Sequence, residues 1–574
     1  MVHNGGVLLL APEVLIDLAR PGRAVPHELF GTNLPARAQS TPDVIDQFRS
    51  FGTKIYRYPG GGAPGWRWMT RHFDFGIGPN DDACALAGLD NALAFARATE
   101  GQLLYSVNLE SGTPDEAAQL AIASAPEGVR YYEIGNEPFG DWDHGYRSAT
   151  AYAADLTAFS RAIKAMQPDA RVGAAMAGEF RDVDDDGDEV ATAGWDRVVL
   201  RNAGAAVDFM SYHWYAGRRA AEEPMHVMAG SLRIPTDVAR FQRLAAEAGR
   251  TLELAYLEWD GVFDHDTTGA RHSLANALFT ADALGQMATS GVGVATSYEA
   301  TTRSYGLVVA YDSCAQPRWP AFDGVTVRPK AFAIQLASGL GGGTLLPVTT
   351  TGTGSYDVTT TFSQEYEGPV PYLSAYAARV GSAVRVLLIH RAPDQATTVR
   401  LRLVGGQVAA GMAPRMILTG PSLEASNEGG TTGVHIQADL VAWAGGEGEL
   451  QIPPRSVVRV DLGDLSSRPP GGAAGRTTSA PAKGGCQSSR PGEDVSAGPG
   501  LWGALLLAGG RRLRRVFHIQ ASPDGSDGRC FPPHTSCREA WFSGAPAHGA
   551  EAPRSRAPGL RASRLRPGWQ NPGH

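Results

Sequence analysis

The chain has 574 residues, 43% of them hydrophobic, which is enough for one large domain with a substantial core and a second domain beside it. Its formal net charge of -8 is unevenly divided, because residues 465–574 carry 15 Lys and Arg against 6 Asp and Glu. An acidic body with a basic tail argues against nucleic acid as a partner of the folded part. The five cysteines form neither a disulfide framework nor a zinc-binding pattern.

Between residue 25 and about residue 320, short β-rich runs alternate with amphipathic helical stretches. This alternation is typical of a parallel sheet with crossover helices, and eight strand–helix units fit the ~250 residues or more of a (β/α)8 barrel. A doubly wound sheet would also alternate, but no Gly-rich phosphate loop follows the first predicted strand. The sequence therefore predicts an α/β fold with a TIM barrel over residues 25–328. The predicted strands are Phe30–Asn33, Ile55–Tyr58, Leu103–Asn108, Tyr131–Ile134, Arg171–Ala174, Phe209–His213, Leu252–Glu258 and Val294–Tyr298.

The sequence changes character after Arg328. Residues 329–463 contain short alternating runs, such as AVRVLLIHR and SVVRVDL, separated by Gly, Pro, Asp and Asn, which predict an antiparallel β-sandwich. Residues 1–24 contain a similar run, VLLLAPEVLIDL, and we expect it to add a strand to that sandwich. Residues 464–574 are rich in Gly, Pro, Ser, Ala and Arg without any period, so we expect a disordered tail.

The motif YYEIGNEPFGDW combines a buried strand with a polar turn at its carboxyl end. Tyr131–Ile134 is the fourth predicted strand, and Glu137 follows it with Asn136 directly before it. Active sites of TIM barrels lie at this edge. A carboxylic acid there, beside an Asn that can bind a sugar hydroxyl, is suited to protonating a leaving oxygen. The alternative is a Glu at a helix N-terminus beside a turn proline, but the position after the fourth of eight strands favours the functional interpretation.

A second carboxylate is expected on the opposite side of the barrel mouth. Glu258 closes the seventh predicted strand in LELAYLEWDG, and the fourth and seventh strands face each other across the mouth. Two carboxylates placed there can flank one glycosidic bond and cleave it without a metal or another cofactor. The alternative is a purely structural salt bridge between Glu258 and a neighbour.

Three further motifs lie near the ends of the second, third and sixth predicted strands: RYPGG at Arg57–Gly61, SVNLESGTPDEA at Ser106–Ala117 and DFMSYHWY at Asp208–Tyr215. Together with the two carboxylates they resemble motifs of the clan A glycoside hydrolases, and within the clan those of the family 51 α-L-arabinofuranosidases. The resemblance covers about residues 7–462. It implies a retaining glycoside hydrolase that acts on plant or microbial polysaccharides or oligosaccharides, with the two carboxylates as acid/base and nucleophile.

The same resemblance implies roles for other polar residues. Arg57 would orient Glu258 and keep it ionised by its fixed charge. His213 and Tyr215 would line the subsite near Glu258, and Asn108 would face the same pocket. The alternative for His213 is a histidine that is satisfied within the core.

Two departures from the family pattern leave the identity of the sugar open. Gly62 stands where an Asn usually follows P-G-G, and Leu257 precedes Glu258 in place of an acidic residue. The alternatives are therefore another clan A activity (β-xylosidase, β-glucuronidase or endo-glucanase) and a non-catalytic carbohydrate-binding surface protein. The last of these predicts the loss of one of the two carboxylates, whereas both are present.

Tryptophans near the predicted strand ends are candidates for stacking against sugar rings. Any single ring is equally suited to packing, but five of them around one rim favour a binding surface. The five are Trp66, Trp68, Trp142, Trp214 and Trp259. We expect Trp66, Trp142 and Trp259 to contact the carbohydrate.

The acidic segment DVDDDGDEV has part of the spacing of a calcium-binding loop, with Asp182, Asp184 and Asp186 before a glycine. Its twelfth position is Ala193 rather than a bidentate Glu. The pattern therefore favours a solvated acidic loop over a weak structural calcium site, and we expect no catalytic metal.

Residues 484–515 of the tail resemble the C-terminal sorting tags of exported myxobacterial proteins. Cys486, the apolar run LWGALLL and the cluster RRLRR follow one another, although the apolar run is shorter than the ~20 residues of a membrane-spanning helix. No signal-peptide pattern is visible at the start of the sequence. We expect an extracellular or cell-surface protein, with cell-envelope attachment through the tail. The sequence leaves open whether Cys84 and Cys314 form a disulfide in that oxidising setting.

Overall fold

The computed structural model describes residues 11–465 apart from 62–64, 75–83, 141–142, 179–193, 218–221, 264–265, 267, 311–324, 361–364 and 431–432. Several sequence predictions therefore lie outside the described residues. They are the tail with its sorting tag, Trp142, the acidic segment with Asp182, Asp184 and Asp186, and Cys314.

Eight parallel strands close into a barrel, in the order in which they follow one another along the chain. The predicted TIM barrel is confirmed, and each predicted strand overlaps an observed one. The sixth and seventh strands run further than predicted, to Gly217 and Val262. The barrel strands are Gly31–Asn33, Ile55–Tyr58, Gln102–Val107, Tyr131–Ile134, Arg171–Met176, Phe209–Gly217, Glu253–Val262 and Val294–Ser297.

Polar caps define where several of the surrounding helices begin. Thr41, Thr113, Ser148 and Ser273 each precede a helix, and each side-chain oxygen accepts a hydrogen bond from the backbone N–H three residues later. The helices are Pro42–Phe51, Leu89–Ala98, Pro114–Ser124, Ala149–Met166, Gly194–Ala203, Pro224–Ala229, Ile234–Glu247, Leu274–Ser290 and Pro329–Ser338. Within the described ranges, none of them is both long and apolar enough to cross a bilayer.

The helix Pro329–Ser338 completes the outer ring of the barrel. It packs between the first barrel helix, Pro42–Phe51, and Leu274–Ser290. The barrel therefore extends past Arg328, where the sequence analysis placed its end, because the eighth strand also needs a helix to cover it.

Two sheets of four and six strands pack around a second hydrophobic core. The six-stranded sheet is antiparallel, whereas the four-stranded sheet contains one parallel pair, Glu13–Asp17 with Thr397–Val404. In the four-stranded sheet, Glu13–Asp17 lies between Val348–Thr351 and Thr397–Val404, so the N-terminal segment contributes a strand to the sandwich. Its alternating Val14 and Ile16 are buried in that core. The other strands of the two sheets are Thr344–Leu346, Leu373–Val380, Ala383–His390, Gly411–Thr419, His435–Trp443, Glu447–Ile452 and Ser456–Asp464. Short two-stranded ribbons are formed by Trp66–Arg67 with His72–Phe73, Val308–Val309 with Thr326–Val327, and Ser355–Val358 with Gly368–Pro371.

A buried polar cluster joins the sandwich to the barrel. Asp282 lies on the barrel helix Leu274–Ser290 and forms an ion pair of 2.6 Å with Arg391, both side chains being fully buried. The Tyr376 hydroxyl donates to Oδ1 of Asp282 at 2.8 Å, and the Ser231 hydroxyl donates to Oδ2 at 2.5 Å. The Asp282 carboxylate is thus paired with a counter-charge and hydrogen-bonded at the junction of the two cores.

Candidate active site

The two carboxylates identified from the sequence meet at the mouth of the barrel. Glu137 follows the fourth strand, Glu258 lies in the seventh, and one oxygen of each is within 4.8 Å of the other and of a ring nitrogen of His213. The side chain of Glu258 is 10% exposed and that of Glu137 is 21% exposed. Glu137 is therefore the more accessible of the two carboxylates.

A β-bulge in the seventh strand aims Glu258 into the mouth. The residue pairing with the sixth strand shifts between Tyr256 and Glu258, so Leu257 is the additional residue. The Leu257 carbonyl oxygen accepts side-chain hydrogen bonds from Asn33 at 2.9 Å and Thr296 at 2.5 Å. The strand continues past Glu258, where the sequence analysis had ended it.

Arg57 connects the second, fourth and seventh strands from a fully buried position. Its Nε donates to Oε2 of Glu133 at 2.7 Å, and its Nη2 donates to Oδ1 of Asn136 at 2.7 Å. Its Nη1 donates to Oδ1 of Asn33 at 2.8 Å and to Oε2 of Glu258 at 3.2 Å. Four hydrogen bonds fix the plane of the guanidinium and place its charge beside Glu258.

Glu133 is a third carboxylate, which the sequence analysis did not identify. Its side chain is fully buried, and Oε1 accepts hydrogen bonds from the Ser211 hydroxyl and from Nε2 of His213, the latter at 3.3 Å. Burial raises the pKa of Glu133, but the charge of Arg57 and these hydrogen bonds outweigh burial and lower the pKa to about 2. The signal in the sequence was a charged residue inside the buried strand Tyr131–Ile134.

His213 lies among three carboxylates. Its Nδ1 is 3.0 Å from Oε1 of Glu137 and 3.6 Å from Oε2 of Glu258, while its Nε2 faces Glu133. Burial lowers the pKa of His213, and the negative charge of Glu258 raises it. With the hydrogen bonds to Glu133 and Glu137, the pKa of His213 rises to about 9 despite the charge of Arg57. The surrounding carboxylates therefore favour the protonated form of the imidazole.

Tyr215 provides the second hydrogen bond to Glu258. Its hydroxyl donates to Oε1 of Glu258 at 2.7 Å, and its ring packs against Phe263 with the ring centroids 5.1 Å apart. Burial raises the pKa of Glu258 above its ordinary value, against the charges of His213 and Arg57. The charge of Arg57 thus favours the ionised form of Glu258, as expected from the sequence, but burial has the larger effect on the pKa.

The turn that carries Glu137 is anchored by Asp143. Oδ2 of Asp143 accepts hydrogen bonds from the backbone N–H of Glu137 at 3.1 Å and from Nδ2 of Asn136 at 3.3 Å. Its Oδ1 accepts from the backbone N–H of Gly145 at 2.7 Å. The amide of Asn136 is thus held from both ends, by Asp143 and Arg57, at the edge of the mouth.

Two of the tryptophans expected to bind sugar lie in the core instead. Trp66 is 2% exposed and Trp259 is 1% exposed, and both belong to the main hydrophobic core. Trp259 follows Glu258 directly and points to the other side of the sheet, where its ring lies 6.2 Å from that of Phe279. Burial of such a large ring favours packing over solvent exposure, so neither side chain is available for stacking against a substrate.

The side chain of Asn108 stabilises the turn after the third strand. Its Nδ2 donates to the Ser111 hydroxyl at 3.0 Å, and its Oδ1 accepts from the Ser111 backbone N–H at 3.1 Å. This local pairing is typical of an Asn that follows a strand and stabilises the next turn. The polar atoms of the Asn108 side chain are therefore hydrogen-bonded within its own loop, and its place in the substrate pocket stays a prediction.

The three side chains Glu137, His213 and Glu258 are close enough to surround a cation. The charges of the site oppose this arrangement. A histidine must be neutral to ligate a metal, whereas the pKa of His213 is about 9, and the Arg57 guanidinium already occupies one side of Glu258. We therefore interpret the cluster as a set of proton-exchanging groups.

Comparison with known proteins identifies relatives of low identity. The exo-α-(1→6)-L-arabinofuranosidase of Bifidobacterium longum is 23% identical over 421 residues, which cover 63% of this chain and 76% of that protein. Several intracellular exo-α-(1→5)-L-arabinofuranosidases match over about half of their own length or less. No protein-family model matches the chain.

Solved structures share the fold of this chain. The α-L-arabinofuranosidase of Thermotoga maritima, determined as an arabinose complex, has a TM-score of 0.65 at 19% identity and covers 79% of this chain and 99% of its own. CelM2, a bifunctional glucanase-xylanase from a metagenome library, has a TM-score of 0.56 at 14% identity over 79% of this chain and 99% of its own.

The fold, the paired carboxylates and these relatives define the class of the protein as a glycoside hydrolase. Within that class, the sequence relatives support an enzyme that is similar to the α-L-arabinofuranosidases.

Proposed function

We propose that this protein is a retaining glycoside hydrolase that cleaves α-L-arabinofuranosides, with Glu137 as acid/base and Glu258 as nucleophile. The observation that carries the proposal is that one carboxylate oxygen of Glu137 lies within 4.8 Å of one carboxylate oxygen of Glu258. Retaining enzymes hold their carboxyl groups ~5–5.5 Å apart, whereas inverting enzymes need ~6.5–9.5 Å to admit a water molecule.

In the first step, a carboxylate oxygen of Glu258 attacks the anomeric carbon while Glu137 donates its proton to the glycosidic oxygen. The bond between the anomeric carbon and that oxygen breaks, the leaving alcohol departs, and the sugar is esterified to Glu258. The hydrogen bonds from Tyr215 and Arg57 hold the Glu258 carboxylate against rotation before the attack.

In the second step, the Glu137 carboxylate takes a proton from a water molecule, whose oxygen attacks the same anomeric carbon. The ester bond breaks, Glu258 is released as a carboxylate, and Glu137 regains its proton. The sugar leaves with the configuration that it had in the substrate, because two inversions occur at one carbon.

Single-carboxylate variants test these roles. Glu258→Ala should lose turnover on every substrate, since no covalent intermediate can form. The hydrolysis rate of Glu137→Ala should fall roughly 100- to 10,000-fold on unactivated glycosides. It should fall much less on an aryl glycoside with an activated phenol, because that group leaves without a proton. Added azide should accelerate Glu137→Ala on the activated substrate, because azide attacks the intermediate without a general base.

The matched control is Glu100→Ala, which removes a carboxylate whose side chain is 76% exposed, and it should retain the parental rates. A Glu137→Ala protein that hydrolyses activated and unactivated substrates as fast as the parent is incompatible with the acid/base role. The stereochemical outcome is measured separately, by NMR of the methyl glycoside formed in dilute methanol. A methyl glycoside of inverted configuration would contradict the retaining mechanism.

The sugar specificity of the enzyme is tested with a panel of nitrophenyl glycosides. We expect the highest kcat/KM on the α-L-arabinofuranoside. Preference for a β-xyloside or β-glucuronide, or activity on a β-glucan alone, would assign the protein to another clan A activity. A lack of turnover on the whole panel, together with binding of an oligosaccharide, would support a non-catalytic carbohydrate-binding protein.

We also propose that the mature protein acts outside the cytoplasm, attached to the cell envelope by its tail. The support within the described residues is Cys84, which is disulfide-bonded, because disulfides persist mainly in oxidising compartments. Peptide mapping without reductant should recover a peptide that links Cys84 to Cys314. Fractionation of the native organism should place the protein in the envelope or the medium, and a wholly cytosolic protein would contradict the proposal.

A further inference from the structure

Glu133 occupies a position that the two-carboxylate mechanism does not use. It lies on the fourth strand, four residues before Glu137, and its side chain is 0% exposed beneath the mouth of the barrel. A carboxylate buried in this way does not touch a substrate. Because a buried charge is costly unless it is paired, its partners indicate its purpose.

Each oxygen of Glu133 binds a residue that also contacts one of the two carboxylates at the mouth. Oε2 accepts from Nε of Arg57 at 2.7 Å, and Nη1 of Arg57 donates to Glu258 at 3.2 Å. Oε1 faces Nε2 of His213 at 3.3 Å, and Nδ1 of the same ring faces Glu137 at 3.0 Å. One buried anion is therefore linked to both Glu258 and Glu137.

We propose that Glu133 is a positioning residue that keeps a proton on Nε2 of His213, so that Nδ1 and Glu137 share the single proton used for catalysis. The inference rests on the proposed function for the role of Glu137. An ionised carboxylate only accepts hydrogen bonds, so Nε2 of His213 must donate to Glu133. The low pKa of Glu133, about 2, is consistent with a permanently ionised acceptor.

A proton fixed on Nε2 of His213 determines how the other ring nitrogen, Nδ1, binds Glu137. With Nε2 protonated, a neutral His213 has a lone pair on Nδ1 that accepts a hydrogen bond from the Glu137 carboxylic acid. A charged His213 instead donates from Nδ1 to the Glu137 carboxylate. The pair therefore retains one proton at the acid/base position and titrates as a unit. Without Glu133, the opposite tautomer would place a permanent N–H against Glu137 and would favour its ionised, inactive form for the first step.

The charged groups around His213 come from three strands. Arg57 of the second strand is the cation, Glu133 and Glu137 belong to the fourth strand and its following turn, and Glu258 belongs to the seventh. Neutral donors complete the set on the sixth strand: the Ser211 hydroxyl binds Glu133, and the Tyr215 hydroxyl binds Glu258. Removal of one of the three carboxylate charges should make His213 easier to deprotonate.

The first test uses the parent protein with histidine labelled with 15N. The resonances of His213 are assigned by their loss in His213→Asn. Above the titration midpoint, the ring should carry its proton on Nε2 and have an unprotonated Nδ1. A neutral ring protonated on Nδ1 would overturn the proposal, and this measurement needs no variant of Glu133 to fold.

The second test compares titration midpoints of His213 between the parent and Glu133→Gln. We expect the midpoint to fall by about one pH unit or more, since an opposite charge at this distance shifts a pKa by ~1–3 units. Glu133→Asp, which keeps the charge, should restore much of that shift. The matched control is Tyr152→Phe, which removes a buried hydroxyl bound to the Ile134 carbonyl on the same strand and should leave the midpoint unchanged. An unchanged midpoint in Glu133→Gln would contradict the proposal.

Kinetics separate this inference from the proposed function. In Glu133→Gln, the alkaline limb of the profile of kcat/KM against pH should move to lower pH by the same amount as the titration midpoint of His213. The variant should change KM less than kcat. If the parent hydrolyses glycosides but neither the limb nor the midpoint moves, the positioning role of Glu133 fails alone. If the midpoint moves as expected but the parent hydrolyses no glycoside, the proposed function fails alone.

Discussion

The backbone of Gly61 and the carboxylate of Glu258 are in contact at the mouth of the barrel. A Cβ atom on Gly61 would lie 2.3 Å from Oε2 of Glu258 and 2.9 Å from its carboxyl carbon. The second glycine of the RYPGG motif therefore provides the space in which the carboxylate stands between Arg57 and Tyr215.

Gly61→Ala should displace the Glu258 carboxylate and lower kcat/KM by roughly 100-fold, as expected for a reacting group moved by about 1 Å. The φ angle of Gly61 is not in the left-handed region, so the effect should be steric and the fold should persist. Gly433→Ala is the control, because a Cβ there meets no atom within 4 Å. Steady-state kinetics and thermal melts check both variants, and a Gly61→Ala enzyme with parental kcat/KM would contradict this position of Glu258.

Tyr215→Phe should weaken catalysis by raising the pKa of Glu258 further. The lost hydrogen bond, 2.7 Å to Oε1, is one of the interactions that lower the pKa of this buried carboxylate. Hydrogen bonds to charged groups contribute ~1.5–3 kcal/mol, so kcat/KM should fall about 10- to 150-fold near neutral pH. The acidic limb of the pH profile should move to higher pH, because a larger fraction of Glu258 is then protonated.

The control for that prediction is Tyr298→Phe. The Tyr298 ring packs against Tyr215, but its hydroxyl faces the Gly61 carbonyl oxygen at 3.4 Å rather than a carboxylate. Tyr298→Phe should therefore leave the acidic limb of the pH profile unchanged. Equal shifts in the two variants would mean that the packing of the rings, rather than the hydrogen bond to Glu258, determines the profile.

The fold and the two mouth carboxylates were accessible to sequence reasoning for one physical reason. A TIM barrel repeats strand and helix with short connections, so Glu137 and Glu258 could be assigned to the carboxyl ends of the fourth and seventh strands from spacing alone. Arg57 was assigned to the site by a different argument, the resemblance of RYPGG at the end of the second strand to a motif of the family 51 enzymes. Its contact with Glu258 at 3.2 Å agrees with that assignment.

Other features depend on three-dimensional environment and were missed or misjudged. Glu133 becomes functional only through Arg57 and His213, which come from the second and sixth strands, and no local pattern relates them. The pKa of Glu258 depends on burial, which motif spacing does not measure. The error for Trp259 was avoidable, because a residue next to an inward-facing Glu258 points outward in a strand.

The cluster around Asp282 should be important for stability rather than for catalysis. Asp282→Ala leaves Arg391 buried without its counter-charge and removes the acceptor of the Tyr376 hydroxyl. Breaking one side of a buried pair costs about 3–5 kcal/mol, so the midpoint of chemical denaturation should fall strongly. Arg400→Ala is the comparison, because it breaks an ion pair with Glu447 in which both side chains are about half exposed. If both variants shift the midpoint equally, the Asp282 cluster does not hold the sandwich on the barrel.

Glu110 and Asp143 place two carboxyl groups on either side of Gly145, next to the turn that carries Glu137. Burial raises the pKa of Glu110, and the charge of Asp143 raises it further, to about 8 from an ordinary value of 4.5. The folded protein therefore keeps a proton on Glu110 that the unfolded chain releases. Between pH 4.5 and about 8 the unfolded chain binds fewer protons than the folded one, so this group lowers stability as the pH rises.

Glu110→Gln should remove this pH dependence, because the amide is neutral at every pH and occupies almost the same volume. Thermal melts of parent and variant should give similar midpoints near pH 4.5 and a higher midpoint for the variant at pH 8. The gain should grow across that interval and then level off, since above its folded pKa Glu110 is ionised in both states. Glu100→Gln, which makes the same substitution at a largely exposed position, is the control. A difference between Glu110→Gln and the parent that is the same at pH 4.5 and pH 8 would mean that Glu110 is already ionised beside Asp143 in the folded protein.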